Sequence, residues 1–310
     1  MAGDPKRVLV TGANGFLGRA VVETLSSRGR SVRAAVRQDK GGWPAGVEAV
    51  SVGDLSAATE WAGALSGVDT VVHCAARAHV LKETAGDPLA EFRAVNTEAT
   101  LALARRAAGA GVRRFVFISS IGVNGAETHG RAFRHDDPAQ PHSPYAVSKH
   151  EAELGLAALA AETGLEIVVI RPPLILGRDP KGNLATLNRV IARGWPLPFG
   201  LVTKNRRDLV SLETLADLID VVVDHPAAPG QSFLVSDGAP LSTRALLERM
   251  AGWQGRRATL LPVPPVLISL PLKLAGKTGL ASQLFGDLEV DIEHTRGALG
   301  WSPSPAGGVS

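Results

Sequence analysis

Lys6-Arg7-Val8-Leu9-Val10-Thr11-Gly12-Ala13-Asn14-Gly15-Phe16-Leu17-Gly18 is the stretch that decides the fold. A short apolar strand runs into glycines at 12, 15 and 18, and a helical pattern follows at once. At these three positions the missing side chains allow a tight turn, close approach of backbone to a pyrophosphate, and packing of the helix on the strand. The helix amides then favour the anion. Three glycines alone fit an ordinary strand-to-helix turn equally well; their place after the first strand favours a dinucleotide.

Working outward, strands and helices alternate. Strands are expected at Arg7–Val10, Ser31–Val36, Val47–Val52, Thr70–His73 and Arg114–Ile118. Between them the pattern predicts a helix from Gly15 to about Ser27, one near Ala57–Leu65, and a long one opened by the Asp87 cap and Pro88 and closed at Gly109 and Gly111. Such alternation indicates a doubly wound parallel sheet, an α/β Rossmann fold. The polar segment from Ser120 to Pro141 is expected to be a loop over the active site.

The only tyrosine of the chain, Tyr145, stands four residues before Lys149, in a helix expected to start at Ser143 and Pro144 and to end at Gly164. Residues four apart share a helix face. A free phenol titrates near ~10, and bringing it about three units lower takes roughly 4 kcal/mol. A lysine ammonium at about 4 Å supplies that only where the effective dielectric is near 20. The pair is therefore expected in a partly dry site, with Lys149 lowering the phenol's pKa and reaching a cofactor ribose.

Thr11–Gly18, Gly53-Asp54-Leu55, Val72-His73-Cys74-Ala75-Ala76, Ser119-Ser120, Tyr145 with Lys149, and Arg171-Pro172-Pro173 occur in the order seen in the extended short-chain dehydrogenase/reductases, which this chain resembles over nearly its whole length. Many members of that family are nicotinamide-dependent enzymes acting on nucleotide sugars. The resemblance implies that Ser120, Tyr145 and Lys149 are catalytic. Ser119 competes with Ser120, and counting back from Gly125 favours Ser120. It further implies cofactor contacts at Gly12, Asn14, Gly15, Phe16, Leu17, Gly18, Arg37, Asp54, Leu55, Ala75, Ala76, Tyr145, Lys149 and Pro172. His73 reads as a strand-end structural residue.

Cofactor choice turns on the end of the second strand. An acidic residue there would hold the ribose diol of NAD, and an arginine would accommodate the extra phosphate of NADP. Arg37 points to NADP, while Asp39 nearby keeps NAD possible. In the second half, Gly182-Asn183-Leu184 and Arg206-Arg207 resemble the stretches with which nucleotide-sugar epimerases hold substrate, which implies substrate contacts at Asn183, Leu184 and Arg207 beside Ser120. Two departures stand out: Val123-Asn124-Gly125 lacks the tyrosine common in epimerases, and Leu284-Phe285 precedes Gly286-Asp287 where an arginine is usual.

Composition bounds the rest. With 310 residues, 45% hydrophobic and 20% charged, the chain is long for one domain. A dinucleotide domain over 1–175 and a mostly substrate-binding domain over 176–310 are expected, with some late segments returning to the first. The net charge of +3 is scattered, which suits a phosphate-bearing small molecule and not nucleic acid. One cysteine, Cys74, and a start that leads straight into a strand suit a cytoplasmic protein. The apolar stretch Leu260–Leu274 is too short and too proline-broken to cross a bilayer, so no membrane partner is expected. The histidines show no metal-ligand spacing, and a Gly-x-Ser-x-Gly elbow is absent.

These readings predict hydride transfer at carbon 4 of a nucleotide-linked sugar, most like the reductases of 4-keto-6-deoxy sugars of the UDP-N-acetylquinovosamine type, in a possible homodimer. A UDP-hexose 4-epimerase and an NADP ketoreductase of the dihydroflavonol or hydroxysteroid type are the alternatives. A regulatory protein that binds a dinucleotide without turnover would not need the Ser120, Tyr145 and Lys149 set.

Overall fold

The computed structural model describes residues 6–78, 86–177 and 182–304, except the side chain of Asn183. Seven strands make one parallel sheet: β1 (Arg7–Thr11), β2 (Ser31–Val36), β3 (Glu48–Ser51), β4 (Val68–His73), β5 (Arg114–Ile118), β6 (Glu166–Arg171) and β9 (Ser232–Leu234). Their order across the sheet is β3-β2-β1-β4-β5-β6-β9. Two further strands, β7 (Leu174–Leu176) and β8 (Leu209–Ser211), pair separately. Each is three residues long, too short to show a period in the sequence.

Alternation along the strands feeds two cores. On one face Val8, Val10, Val32 and Ala34 pack with α1 (Phe16–Ser27) and α7 (Leu212–Asp224). On the other, Leu9, Val71, Phe115 and Phe117 meet α2 (Ala62–Leu65), α4 (Ala99–Gly109) and α5 (Pro144–Thr163). Both faces of a parallel sheet are thus covered, as its unbroken apolar strands require. A third core is built from α6 (Gly182–Ala192), α8 (Thr243–Trp253) and the segment between them.

Three local expectations need adjustment. The helix near Ala57–Leu65 shrinks to α2, because Thr59 Oγ1 accepts from Ser56 N–H and donates to the Asp54 carbonyl, a turn that competes with helix. The long helix after Asp87 is interrupted: α3 (Pro88–Arg93) passes into a π-helical turn over Ala94–Glu98 before α4. The Ser120–Pro141 segment is laced to the late chain, with Phe133 N–H donating to the Glu289 carbonyl and Asp291 N–H to the Phe133 carbonyl. By contrast α5 begins at a Ser143 cap that accepts from Ala146 N–H at 3.2 Å, has Pro144 in its first turn, and ends on a left-handed Gly164.

Candidate active site

Register aligns Ala35, Thr11, His73 and Phe117 in one row near the carboxyl edge of the sheet, where open α/β sheets place their ligands. The glycine turn follows from that row. Gly12 has φ +64°, and a side chain there would stand 2.8 Å from the Ala75 backbone. A Cβ on Gly18 would collide with the Gly12 carbonyl, so α1 packs against the turn only because residue 18 has no side chain. Above the turn opens a cleft of about 780 Å³ lined by Gly12, Asn14, Gly15, Arg37, Asp54, Leu55, Ala75 and Ala76, all expected there, together with Thr11, Gln38, Lys40, Trp61, Arg77 and Val95. The donor-rich turn, the space above it and the basic rim fit a dinucleotide. Leu17 and Gly18 lie buried inside α1, and Phe16 packs by Gly177.

Arg37 reaches across the mouth to Asp54, with Nε to Oδ1 at 2.7 Å and both side chains mostly exposed. Asp39 does not line the cleft. Its Oδ1 accepts from Gly41 N–H and Trp43 Nε1–H, each at 2.9 Å, and these bonds hold its carboxyl below the usual range. Asp39 therefore organises its own loop, which leaves Arg37, paired with Asp54, and Lys40 as the charged groups of this rim.

Behind Cys74 of the cleft wall, and not among the residues that line the cleft, the chain after β5 meets α5. Ser120 Oγ accepts from Gly122 N–H at 3.1 Å, so its own proton remains free to donate. A Cβ on Gly122 would meet Ser120 Oγ at 3.3 Å and Ala146 at 3.4 Å, which places Ser120 beside the first turn of α5. Ser119 points the opposite way, buried, with its hydroxyl donating to Glu153. Glu153 also takes Arg171, whose Nη1 donates to Asn124 Oδ1 at 3.1 Å, and Asn124 in turn donates to the Arg134 carbonyl. Asn124 is thus occupied in tying the loop to the strand end.

Lys149 is buried, donates from Nζ to the Ile118 carbonyl at 2.9 Å, and lies 4.5 Å from the Phe117 ring centre and 6.0 Å from that of Tyr145. Desolvation pulls its pKa down to about 8. The Tyr145 phenol moves the other way: burial pushes it up to about 12, which corrects the expectation that Lys149 lowers it. The ammonium is aimed at a carbonyl, not at the phenol, so desolvation of the phenolate dominates. Tyr145 therefore holds its proton at neutral pH. Cys74, on the cleft wall, is pushed up to about 12 by burial, which removes it as a nucleophile.

His73 is structural, as read from the strand end. Thr11 Oγ1 sits 2.7 Å from Nδ1 and Thr100 Oγ1 3.0 Å from Nε2. Thr100 donates to the Asn96 carbonyl, so Nε2 carries the hydrogen and Nδ1 accepts from Thr11. Burial takes this ring down to about 3.

Sequence reading missed Asn96. It sits on the π-helical turn, accepts from Arg77 N–H at 2.8 Å, and donates to the Arg77 carbonyl and to Ser148 Oγ, both at 3.1 Å. One side chain thereby joins the cleft wall to α5. An asparagine inside an apparently continuous helix was the available signal. Of the substrate positions, Leu184 is buried in the third core, and the side chain of Asn183 lies outside the described residues. Arg207 is half-buried, with Nη1 donating to the Ser282 and Gly286 carbonyls at 3.1 and 3.0 Å; burial presses its pKa below the usual arginine value. Pro172, buried, accepts through its carbonyl from Ile121 N–H at 3.0 Å.

Residues 8–236 match the NAD dependent epimerase/dehydratase family. The chain belongs to this family. A UDP-glucose 4-epimerase of Vibrio cholerae is 43% identical over 305 residues, spanning 96% of this chain and 91% of the relative. The solved structure of MoeE5 in complex with UDP-glucose and NAD is 25% identical with a TM-score of 0.75, covering 96% of this chain and 93% of that one. The UDP-N-acetylglucosamine 4-epimerase of Bacillus cereus has the same fold, with a TM-score of 0.77 over 96% of this chain and 94% of its own at 20% identity. This family member is thus a nicotinamide-dependent enzyme of the epimerase and dehydratase type, and its likeness to an epimerase moves the weight away from the reductase expected above.

Proposed function

We propose that this protein is a 4-epimerase of UDP-linked hexoses. The observation that carries the reading is the 43% likeness to the Vibrio cholerae UDP-glucose 4-epimerase along almost the whole chain. The site chemistry agrees with it. Nicotinamide bound in the cleft would supply a reversible store for the carbon 4 hydride. Tyr145 would take the O4 proton as its phenolate when the sugar hydroxyl becomes a carbonyl and return it as the phenol when the hydroxyl re-forms; burial favours the phenol, so the first half draws on the minor phenolate form. Ser120, whose hydroxyl hydrogen is uncommitted, donates to the same oxygen and holds the sugar in place. Lys149, charged below about pH 8, anchors the end of β5 and offers its remaining N–H groups to a ribose. Arg207 and the turn at Asn183 and Leu184 would meet the diphosphate and sugar, a forked guanidinium being suited to two phosphate oxygens.

Purified protein given UDP-glucose or UDP-N-acetylglucosamine should form the 4-epimer, seen by chromatography, with no net change in absorbance at 340 nm. A specific observation keeps the reductase in view: Arg37 and Lys40 line the adenosine end of the cleft while Asp39 is withdrawn from it, which favours NADP. Stoichiometric NADPH oxidation with a 4-keto sugar, and no epimer, would install the reductase.

A further inference from the structure

Helix α9 (Pro265–Leu274) is apolar at every position except Ser269 and Lys273, yet none of its residues is buried. A helix that is apolar all round normally lies inside a core or a membrane. At 3.6 residues per turn, Val266, Leu267, Leu270 and Leu274 fall within one arc of about 100°. They are 58%, 64%, 52% and 80% exposed. Ile268 faces away from that arc and packs on the third core, so the helix has an inner face with a partner and an outer face without one.

The outer face continues beyond the helix. Leu197 N–H donates to the Thr259 carbonyl and Leu261 N–H to the Leu197 carbonyl, which brings the turn before Leu197 against the extended segment that leads into α9. That turn carries Trp195, 58% exposed, with the Arg193 guanidinium 5.2 Å from its ring centre.

Charge separates the candidate occupants. Residues 255–286 hold Arg256, Arg257, Lys273 and Lys277 and no aspartate or glutamate. All four cations are exposed. The whole chain has a net charge of +3, so this segment contributes +4 and the remainder −1. A second copy seated face to face would bring these like charges together, and the segment holds no acid of its own to answer them. An anionic lipid surface answers Lys273 and Lys277, on and just after α9, and it also takes up leucines and a tryptophan at the boundary between headgroups and acyl chains.

We propose that α9, with Trp195 and Leu261 beside its entry, is a peripheral docking face for an anionic phospholipid membrane. Among the described residues no helix is long and apolar enough to cross a bilayer, so docking is interfacial. The proposal does not depend on which sugar the enzyme turns over.

The test is flotation of the full chain with phosphatidylcholine vesicles containing roughly 30% phosphatidylglycerol, beside vesicles of phosphatidylcholine alone. The protein should float with the anionic vesicles only, and about 0.5 M salt should release it. Leu267→Glu with Leu270→Glu, and separately Lys273→Glu with Lys277→Glu, should each cut the bound fraction about tenfold or more. These positions are exposed, so thermal midpoint and nicotinamide binding should not change, which distinguishes lost docking from lost folding. Failure of the parent protein to float would overturn the proposal, as would variants that float equally well. A parent that stays unbound but dissociates on Leu267→Glu with Leu270→Glu in sedimentation velocity would show the face to be an interface between copies.

Discussion

Arg171 and Glu153 form a two-pronged ion pair beneath the candidate active site, with Nε to Oε1 at 3.0 Å and Nη2 to Oε2 at 2.6 Å and both side chains buried. Ser119 and Asn124 complete it from either side. The pair joins the end of β6 to the middle of α5, one turn beyond Lys149, and so sets where the helix face that bears Tyr145 and Lys149 sits against the sheet. A buried pair is weak evidence for stability as such, but removal of one partner leaves an uncompensated charge. Arg171→Met should therefore cost about 3–5 kcal/mol in urea unfolding, and Arg171→Met combined with Glu153→Leu distinctly less. A double variant as unstable as the single one would show that the pair is not the source of the loss.

Tyr145→Phe should lower turnover by about 10²-fold or more while leaving cofactor affinity almost unchanged, because in the proposed reaction the phenol hydroxyl is the proton carrier and the ring stays in place against Phe92. Steady-state kinetics beside a fluorescence titration with the reduced cofactor separates the two effects. Full activity in the variant would remove Tyr145 from the chemistry.

Arg37→Ala should weaken NADPH binding more than NADH binding, by about 1.5–3 kcal/mol if a charge-assisted hydrogen bond to the extra phosphate is lost. The bond from Arg37 to Asp54 does not prevent this, since an exposed pair is worth only about 0–1 kcal/mol and yields to a better partner. Equal losses for the two cofactors would show that Arg37 serves Asp54 alone.

His73 makes acid sensitivity predictable. Its folded pKa, about 3, lies below the unfolded value of 6.5, so only the unfolded chain takes up a proton as pH falls through that window. Stability from this group is complete above pH 6.5 and declines as pH drops towards 3, by up to about 1.4 kcal/mol per unit. Urea midpoints of the parent and of His73→Gln, measured between pH 7 and 5, should converge as the pH falls. Parallel curves would mean that His73 does not titrate on unfolding.

Whatever depends on neighbours a few residues apart was legible in the chain alone. The turn at Gly12, Gly15 and Gly18, the Ser143 and Pro144 start of α5, and the shared face of Tyr145 and Lys149 are set by backbone sterics and by 3.6-residue spacing, which act locally. Folding decided what distance along the chain conceals. Ser119 and Ser120 are adjacent and chemically identical, yet the hydroxyl hydrogen of one is consumed by Glu153 while the other only accepts, from Gly122 N–H, and keeps its hydrogen to donate. Asn96 became a strut because a π-helical turn aimed it at Arg77 and Ser148. Tyr145 shifted to about 12 and not downward because desolvation depends on everything packed around the phenol, and the Lys149 ammonium found the Ile118 carbonyl first. Burial and long-range pairing are properties of the assembled sheet and helices, and no local pattern carries them.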